Sequence, residues 1–499
     1  MRLAGLLAGA LAVSGAGMAT ASPSHAPREL NASQLLAGGV VATDCTGAVG
    51  NPNPKTDLVA WEARDRQNEL CSTQRLTDEL ANPAFVAMSA MEVAGSNPNE
   101  IFGDVTDPRL RSWGSVFVAG GDPFRVPTRW VALGRGQFQQ FHYISTDGAE
   151  IDAELFSPNP HPGRRYPIVT FTPGLQESKE QAWWYGEGLA EAGYVVLIMD
   201  PQAQGDSEVT SHDTDPSKKC GIVCNVPTND KPETHAAIDF AVSTPRHPDK
   251  YDVGRNGEHA LPYNPLWQEV NRSEVGIAGH SLGASAVTPI GQQDPRVKAV
   301  ISYDNIDLSL PSWLLPKIHA PALYFGTDYK FPEFATPRLP GAFENPEQHW
   351  PAFDQMRKAG VDSMVITPRA STHYEWDQQS SVGALPASRY GQLVSLYYSQ
   401  AWFDYYLKHE QSGLRRLTAL RFDGSADAHS IGGGTYSPAA AAKDPTNLVS
   451  GNVPYRIDGR CVADLLSFYN ASAYWLDHGR VQSMNMRNRG CEERPAAAG

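Results

Sequence analysis

Gly279-His280-Ser281-Leu282-Gly283 holds a serine between two small residues, and its flanks say what that spacing is for. Upstream, Val275-Gly276-Ile277-Ala278 reads as a short buried strand; downstream, Ala284-Ser285-Ala286-Val287 reads as the start of a helix. Ser281 is therefore expected on a tight strand-to-helix turn, a nucleophile elbow. Such a turn needs small residues two before and two after the serine, because the helix packs closely on the strand and the serine backbone is strained. The hydroxyl then stands at a helix N-terminus, where backbone N–H groups stabilise developing negative charge.

A serine hydroxyl is a weak nucleophile at neutral pH, so it needs a base within hydrogen-bond reach and a carboxylate to orient that base. Functional groups of an open parallel sheet collect beyond the carboxyl ends of its strands. His373 follows the run Ser363-Met364-Val365-Ile366-Thr367 and is the expected base; His429 comes after the last helix. Two acids end strands: Asp328, after Pro321-Ala322-Leu323-Tyr324-Phe325-Gly326-Thr327, and Asp304, after Val297-Lys298-Ala299-Val300-Ile301-Ser302-Tyr303. Asp328 is preferred because its turn follows the strand nearer the histidine-bearing one; Ser281, Asp328 and His373 then stand in the chain order expected behind such an elbow. The oxyanion donors are expected to be the N–H groups of Leu282 and of Leu175, the latter after Pro173-Gly174. Trp183 and Trp184 are candidates for an aromatic substrate wall or for helix-on-sheet core, and Trp313 for an acyl pocket or plain packing.

The elements that must position these groups have their own signals. Gln137 to Tyr143 and Glu150 to Phe156, joined across Thr146-Asp147-Gly148, read as a hairpin. Tyr166 to Phe171 and Tyr194 to Met199 are apolar runs separated by a helix that holds Trp183-Trp184-Tyr185 and stops at Gly193. That rhythm predicts a buried parallel sheet. A helix is expected around Pro232 to Val242, an early end to the helix after Ser281 at Pro289, and a final helix from about Ala387 to Glu410.

The chain has 499 residues, 41% hydrophobic and 19% charged, enough for a sizeable core. A formal charge of −14 argues against nucleic acid or an anionic membrane as partner. Residues 1–21 carry Arg2, an apolar stretch and Ala19-Thr20-Ala21, the pattern of a secretory signal peptide, with a membrane anchor as the weaker alternative. A secreted protein without integral membrane association is expected. Six cysteines fit an oxidising compartment; by proximity the pairs are Cys45 with Cys71, Cys220 with Cys224 and Cys461 with Cys491, among fifteen pairings. No metal site is expected: Asp423-x-Ser425-x-Asp427 lacks the glycine and glutamate of a calcium loop. The organisation expected is a leader over 1–21, an N-terminal extension over 22–135, a catalytic domain over 136–410 and a packed C-terminal extension over 411–499.

From about residue 137 to 410 these motifs resemble the α/β-hydrolase superfamily. Thr146-Asp147-Gly148, Asp200 with Gln204-Gly205-Asp206-Ser207, Gly279 to Gly283, Gly326-Thr327-Asp328 and Thr372-His373 carry the resemblance. Pro173-Gly174-Leu175 before the Trp-rich helix is similar to secreted bacterial cutinases and polyester hydrolases, with Leu175 where those enzymes place an aromatic; the Asp147-Gly148 hairpin is similar also to dienelactone hydrolases and prolyl-oligopeptidase-like peptidases. The resemblance implies an α/β-hydrolase fold, a mostly parallel sheet flanked by helices, and a cofactor-free serine esterase acting on small-molecule or polymeric esters. A peptidase or amidase with the same triad, and a non-catalytic binding protein on this scaffold, are the alternatives; the oligomeric state stays open.

Overall fold

The computed structural model describes Val59, 127–146, 148–175, 177–202, 204–208, 222–251, 260–305, 309–327, 350–367, 373–376, 389–418, 435–436, 456–457, 460–461 and 472–484, with backbone alone at 222–231, 374–375, 389–394, 435–436, 456–457 and 460–461. The expected leader, Asp328, His429, the Asp423-x-Ser425-x-Asp427 pattern and Cys45, Cys71, Cys220 and Cys491 lie outside the described residues. The side chains of Cys224 and Cys461 do so as well.

Ten strands form one mixed sheet: β1 (Gln137–Ile144), β2 (Glu150–Ser157), β3 (Tyr166–Thr172), β4 (Val195–Met199), β5 (Val270–His280), β6 (Val297–Tyr303), β7 (Ala322–Phe325), β8 (Ser363–Ile366), β9 (Ala473–Leu476) and β10 (Val481–Ser483). Their spatial order is β1-β2-β4-β3-β5-β6-β7-β8-β9-β10. The central six, β4 to β8, run parallel, and an antiparallel hairpin closes each edge. Strands β3 and β4 are buried along their whole length, which is why they read as unbroken apolar runs rather than alternating ones.

Helices cover both faces. On one, α2 (Trp183–Glu191) and α6 (Arg389–Tyr406) pack against the sheet, with Trp184, Tyr185, Leu396 and Trp402 in one core with Phe171, Tyr303 and Phe325. On the other, α3 (Ile222–Ala241), α4 (Ser281–Gly291) and α5 (Trp350–Lys358) supply Phe240, Val287, Ile290 and Phe353 to a second core with Ile168, Leu197 and Ile277. Two further helices are α1 (Pro127–Ala132), which lays Trp130 against Phe156, and α7 (Gln411–Thr418). This is an α/β architecture, as expected.

Three differences from the sequence reading are informative. Helix α3 begins ten residues before Pro232. Helix α4 continues two residues past Pro289, which therefore sits in its last turn. The sheet does not end at β8: Ala473 to Trp475 pair with β8, so part of the C-terminal extension completes the sheet. Asp362 ties this edge down, accepting the backbone N–H groups of Asp477 and His478 at 2.8 Å and the Tyr406 hydroxyl at 2.7 Å.

Candidate active site

Strand β5 delivers Ser281 to the first position of α4 with φ +51°, a left-handed backbone that a non-glycine residue adopts at a cost. The two glycines of the motif answer to measurable crowding. A Cβ on Gly279 would lie 2.7 Å from the Gly283 carbonyl, and one on Gly283 would lie 2.0 Å from the Thr172 oxygen and 2.4 Å from that of Pro173. The end of β3 thus runs against the start of α4, bringing the loop of Pro173-Gly174-Leu175 beside the serine.

His373 opens a 3₁₀ turn (His373–Trp376) beyond β8. Its Nε2 lies 2.9 Å from Ser281 Oγ, and its Nδ1 is hydrogen-bonded to Asp304 Oδ2. Asp304 is the carboxylate bonded to the imidazole; Asp328, the acid preferred on sequence, lies outside the described residues, and strand register explains the place of Asp304. Gly279 pairs with Ser302 and His280 with Tyr303, so Asp304 stands level with Ser281 on the neighbouring strand. Asp304 is fully buried with φ +44°, and its N–H donates to the Phe325 carbonyl at 2.8 Å. The following Asn305 fastens this turn to α4 through Ser285 (2.6 Å), Thr288 (3.0 Å) and the Ala284 carbonyl (3.2 Å).

Burial is the largest influence on His373 and holds its pKa below the ordinary histidine value; the Asp304 carboxylate offsets part of this. That shift favours the neutral imidazole, in which Nδ1–H donates to Asp304 and Nε2 accepts from the Ser281 hydroxyl. That is the hydrogen-bonding state a general base requires. Trp376, three residues on, is buried, stacked near Tyr303 and tilted against Phe325, with ring centroids 5.9 and 5.1 Å away, anchoring the turn that carries His373.

The loop after β3 is fastened on both sides of Gly174. Its N–H donates to Glu177 Oε2, and its carbonyl accepts Gln204 Nε2 at 3.0 Å. Leu282 is half-buried at the second position of α4, and Leu175 is 46% exposed. Behind the loop, the fully buried Lys179 ammonium meets Asp200 and Glu180 at 2.8 Å, Asp206 at 3.2 Å and Asp152 at 3.8 Å. Its surrounding carboxylates outweigh desolvation and hold its pKa well above the usual lysine range. Burial pushes Glu154, beside this cluster, well above the carboxylate range.

The aromatic candidates separate. Trp184 is fully buried, its ring edge-on to Tyr185 at 5.5 Å, so substrate cannot reach it. Trp183 is half-buried and donates to Glu154 Oε2 on β2 at 2.9 Å. Trp313 is 56% exposed on a 3₁₀ turn (Ser312–Lys317) within the crossover from β6 to β7. That crossover is anchored where His319 and Ala320 donate to Gln292 at the far end of α4. Eleven helical residues put that anchor about 16 Å from Ser281, and the Trp313 ring itself meets the Lys317 ammonium at 5.7 Å. Glu177, His280, Asn305 and Trp376 were not among the residues expected at the site. Only His280 and Trp376 carried a signal, through their places beside Ser281 and three after His373.

No protein-family model matches the chain. It is 22% identical over 170 residues to cutinase est2 of Thermobifida alba, covering 34% of this chain and 44% of that protein. It is also 22% identical over 287 residues to cutinase cut1 of Thermobifida fusca, covering 56% of this chain and 70% of that one. The chain thus spans less than half the length of the first relative and more than two thirds of the second. Among the described residues no helix is long and apolar enough to cross a membrane, and no group of three or more His, Cys, Asp or Glu is arranged to hold a metal ion.

Proposed function

We propose that the protein is a serine hydrolase of carboxylic esters, built on an α/β-hydrolase fold and exported through the leader at residues 1–21. The observation that carries this reading is the hydrogen-bonded series Ser281, His373, Asp304 at the ends of β5, β8 and β6. The distant similarity to two proteins named as cutinases supports ester chemistry.

In the proposed reaction Ser281 Oγ attacks the ester carbonyl as His373 Nε2 takes its proton. Asp304 keeps Nδ1 protonated and stabilises the imidazolium without itself accepting the proton. The tetrahedral oxyanion is held by the N–H groups of Leu282 and Leu175. The imidazolium returns its proton to the departing alcohol, leaving an acyl-enzyme. Water, activated by the same histidine, then attacks and regenerates Ser281. No cofactor takes part.

A panel of p-nitrophenyl esters of increasing acyl length, with matched p-nitroanilides, tests the reading. Ester turnover that disappears in Ser281→Ala is expected. Turnover of the anilides in preference to the esters, or equal ester turnover by wild type and Ser281→Ala, contradicts it.

A further inference from the structure

Glu177 and His280 make a buried couple that the proposed reaction does not use. His280 is fully buried and Glu177 is 5% exposed. Glu177 Oε1 lies 2.7 Å from His280 Nδ1, Glu177 Oε2 accepts the Gly174 N–H, and His280 Nε2 lies 2.8 Å from the His373 carbonyl oxygen.

The partners fix the protons. A carbonyl oxygen only accepts, so His280 Nε2 carries hydrogen and donates to His373. Oε2 already accepts from Gly174, and a contact of 2.7 Å between Oε1 and Nδ1 needs one proton between them. An imidazolium facing a carboxylate and a neutral imidazole facing a carboxylic acid both satisfy this, and both leave the couple without net charge. A full complement of bonds is what permits such a pair to be buried.

The chain of bonds therefore runs from the Gly174 N–H, in the loop that would hold the oxyanion, to the main chain of the residue that would serve as base. We infer that Glu177 and His280 are positioning residues, a couple sharing one proton that sets the separation between the oxyanion loop and His373. The inference rests on the proposed serine-hydrolase reading for its consequence in rate, though not for its geometry. The two halves of the machinery come from opposite sides of β5: the loop follows β3, and His373 follows β8. Glu177 and His280 lie on the line that joins them.

Glu177→Gln and Glu177→Ala discriminate this from a role in stability alone. Glutamine keeps every bond: its amide oxygen accepts from Gly174, and its amide N–H donates to Nδ1 of neutral His280. Alanine removes both bonds, the one to the Gly174 N–H and the one to Nδ1. The expected result is a kcat about 100-fold lower in Glu177→Ala, the scale of a misplaced catalytic group, with KM little changed and most of the loss recovered in Glu177→Gln. The second readout needs no turnover. The proton of His373 Nδ1, bonded to Asp304, gives a downfield NMR resonance in histidine-labelled protein. It should keep its position in Glu177→Gln and shift or vanish in Glu177→Ala. A Glu177→Ala protein with wild-type resonance and kcat, or two variants equally impaired and equally destabilised, overturns the inference. A resonance that moves as expected in a protein that turns over no ester upholds the couple and rejects the hydrolase reading instead.

Discussion

Ser281 and Asp304 occupy the same level on neighbouring parallel strands, each one residue beyond the paired His280 and Tyr303, and each with left-handed backbone, φ +51° and +44°. The strand ends thus turn sharply side by side, and His373 closes over both, one ring nitrogen to each. Strain at two adjacent positions is maintained because both are held by surrounding bonds: Ser281 by α4 against the end of β3, Asp304 by Phe325 and the Asn305 network.

The identity of the acid is open to direct test. Asp304→Asn should lower kcat about 10⁴-fold, because the amide no longer holds the imidazole in the tautomer that leaves Nε2 an acceptor. Asp328→Asn should leave kcat near wild type. Steady-state kinetics of the two variants on one short-chain ester decide it; the reverse ranking would restore Asp328 to the role.

The pH profile follows from His373. The proposed reaction needs the neutral imidazole, whose pKa burial lowers below the ordinary value of about 6.5. Asp304 and Glu177 work against that fall, and His280 adds to it. The acid limb of kcat/KM should therefore lie below pH 6.5, with activity rising as pH climbs through it. Folding is linked in the same direction: the unfolded chain takes up this proton first, so the contribution to stability present above about pH 6.5 is lost as pH drops through the folded-state value. An acid limb above pH 7 contradicts the assignment.

The Lys179 ammonium meets Asp152, Glu180, Asp200 and Asp206 together, and the Lys179 backbone N–H also donates to Asp200 at 2.7 Å. Lys179→Met leaves those carboxylates facing one another without it. A loss of about 3–5 kcal/mol of stability is expected, the cost of breaking a buried ion pair from one side. Urea denaturation measures it; a loss within the range of an exposed pair would show that water already screens the cluster.

How much was legible in the sequence depended on how local each signal was. The pairing of β1 with β2, the apolar runs of β3 and β4 and the strand-to-helix turn at Ser281 are written within a few residues, and all fold as read. The choice between Asp304 and Asp328 is not local. Both follow strands, and only the pairing of β5 with β6 puts Asp304 level with the serine. Trp183 and Trp184 are adjacent in sequence but point to different surroundings, a helical distinction that composition does not reveal. Glu177 and His280 are 103 positions apart, and β9 joins β8 across more than a hundred residues, so neither contact had a signature in its own neighbourhood.

The central claim is that Ser281 is a nucleophile activated by His373. Treating the full chain with a fluorophosphonate and mapping the adduct by peptide mass spectrometry tests it most directly. The account predicts a single stoichiometric adduct on Ser281, greatly slowed in His373→Ala and absent in Ser281→Ala. Equal labelling of wild type and Ser281→Ala, or an unlabelled wild-type protein that is fully folded, would contradict it.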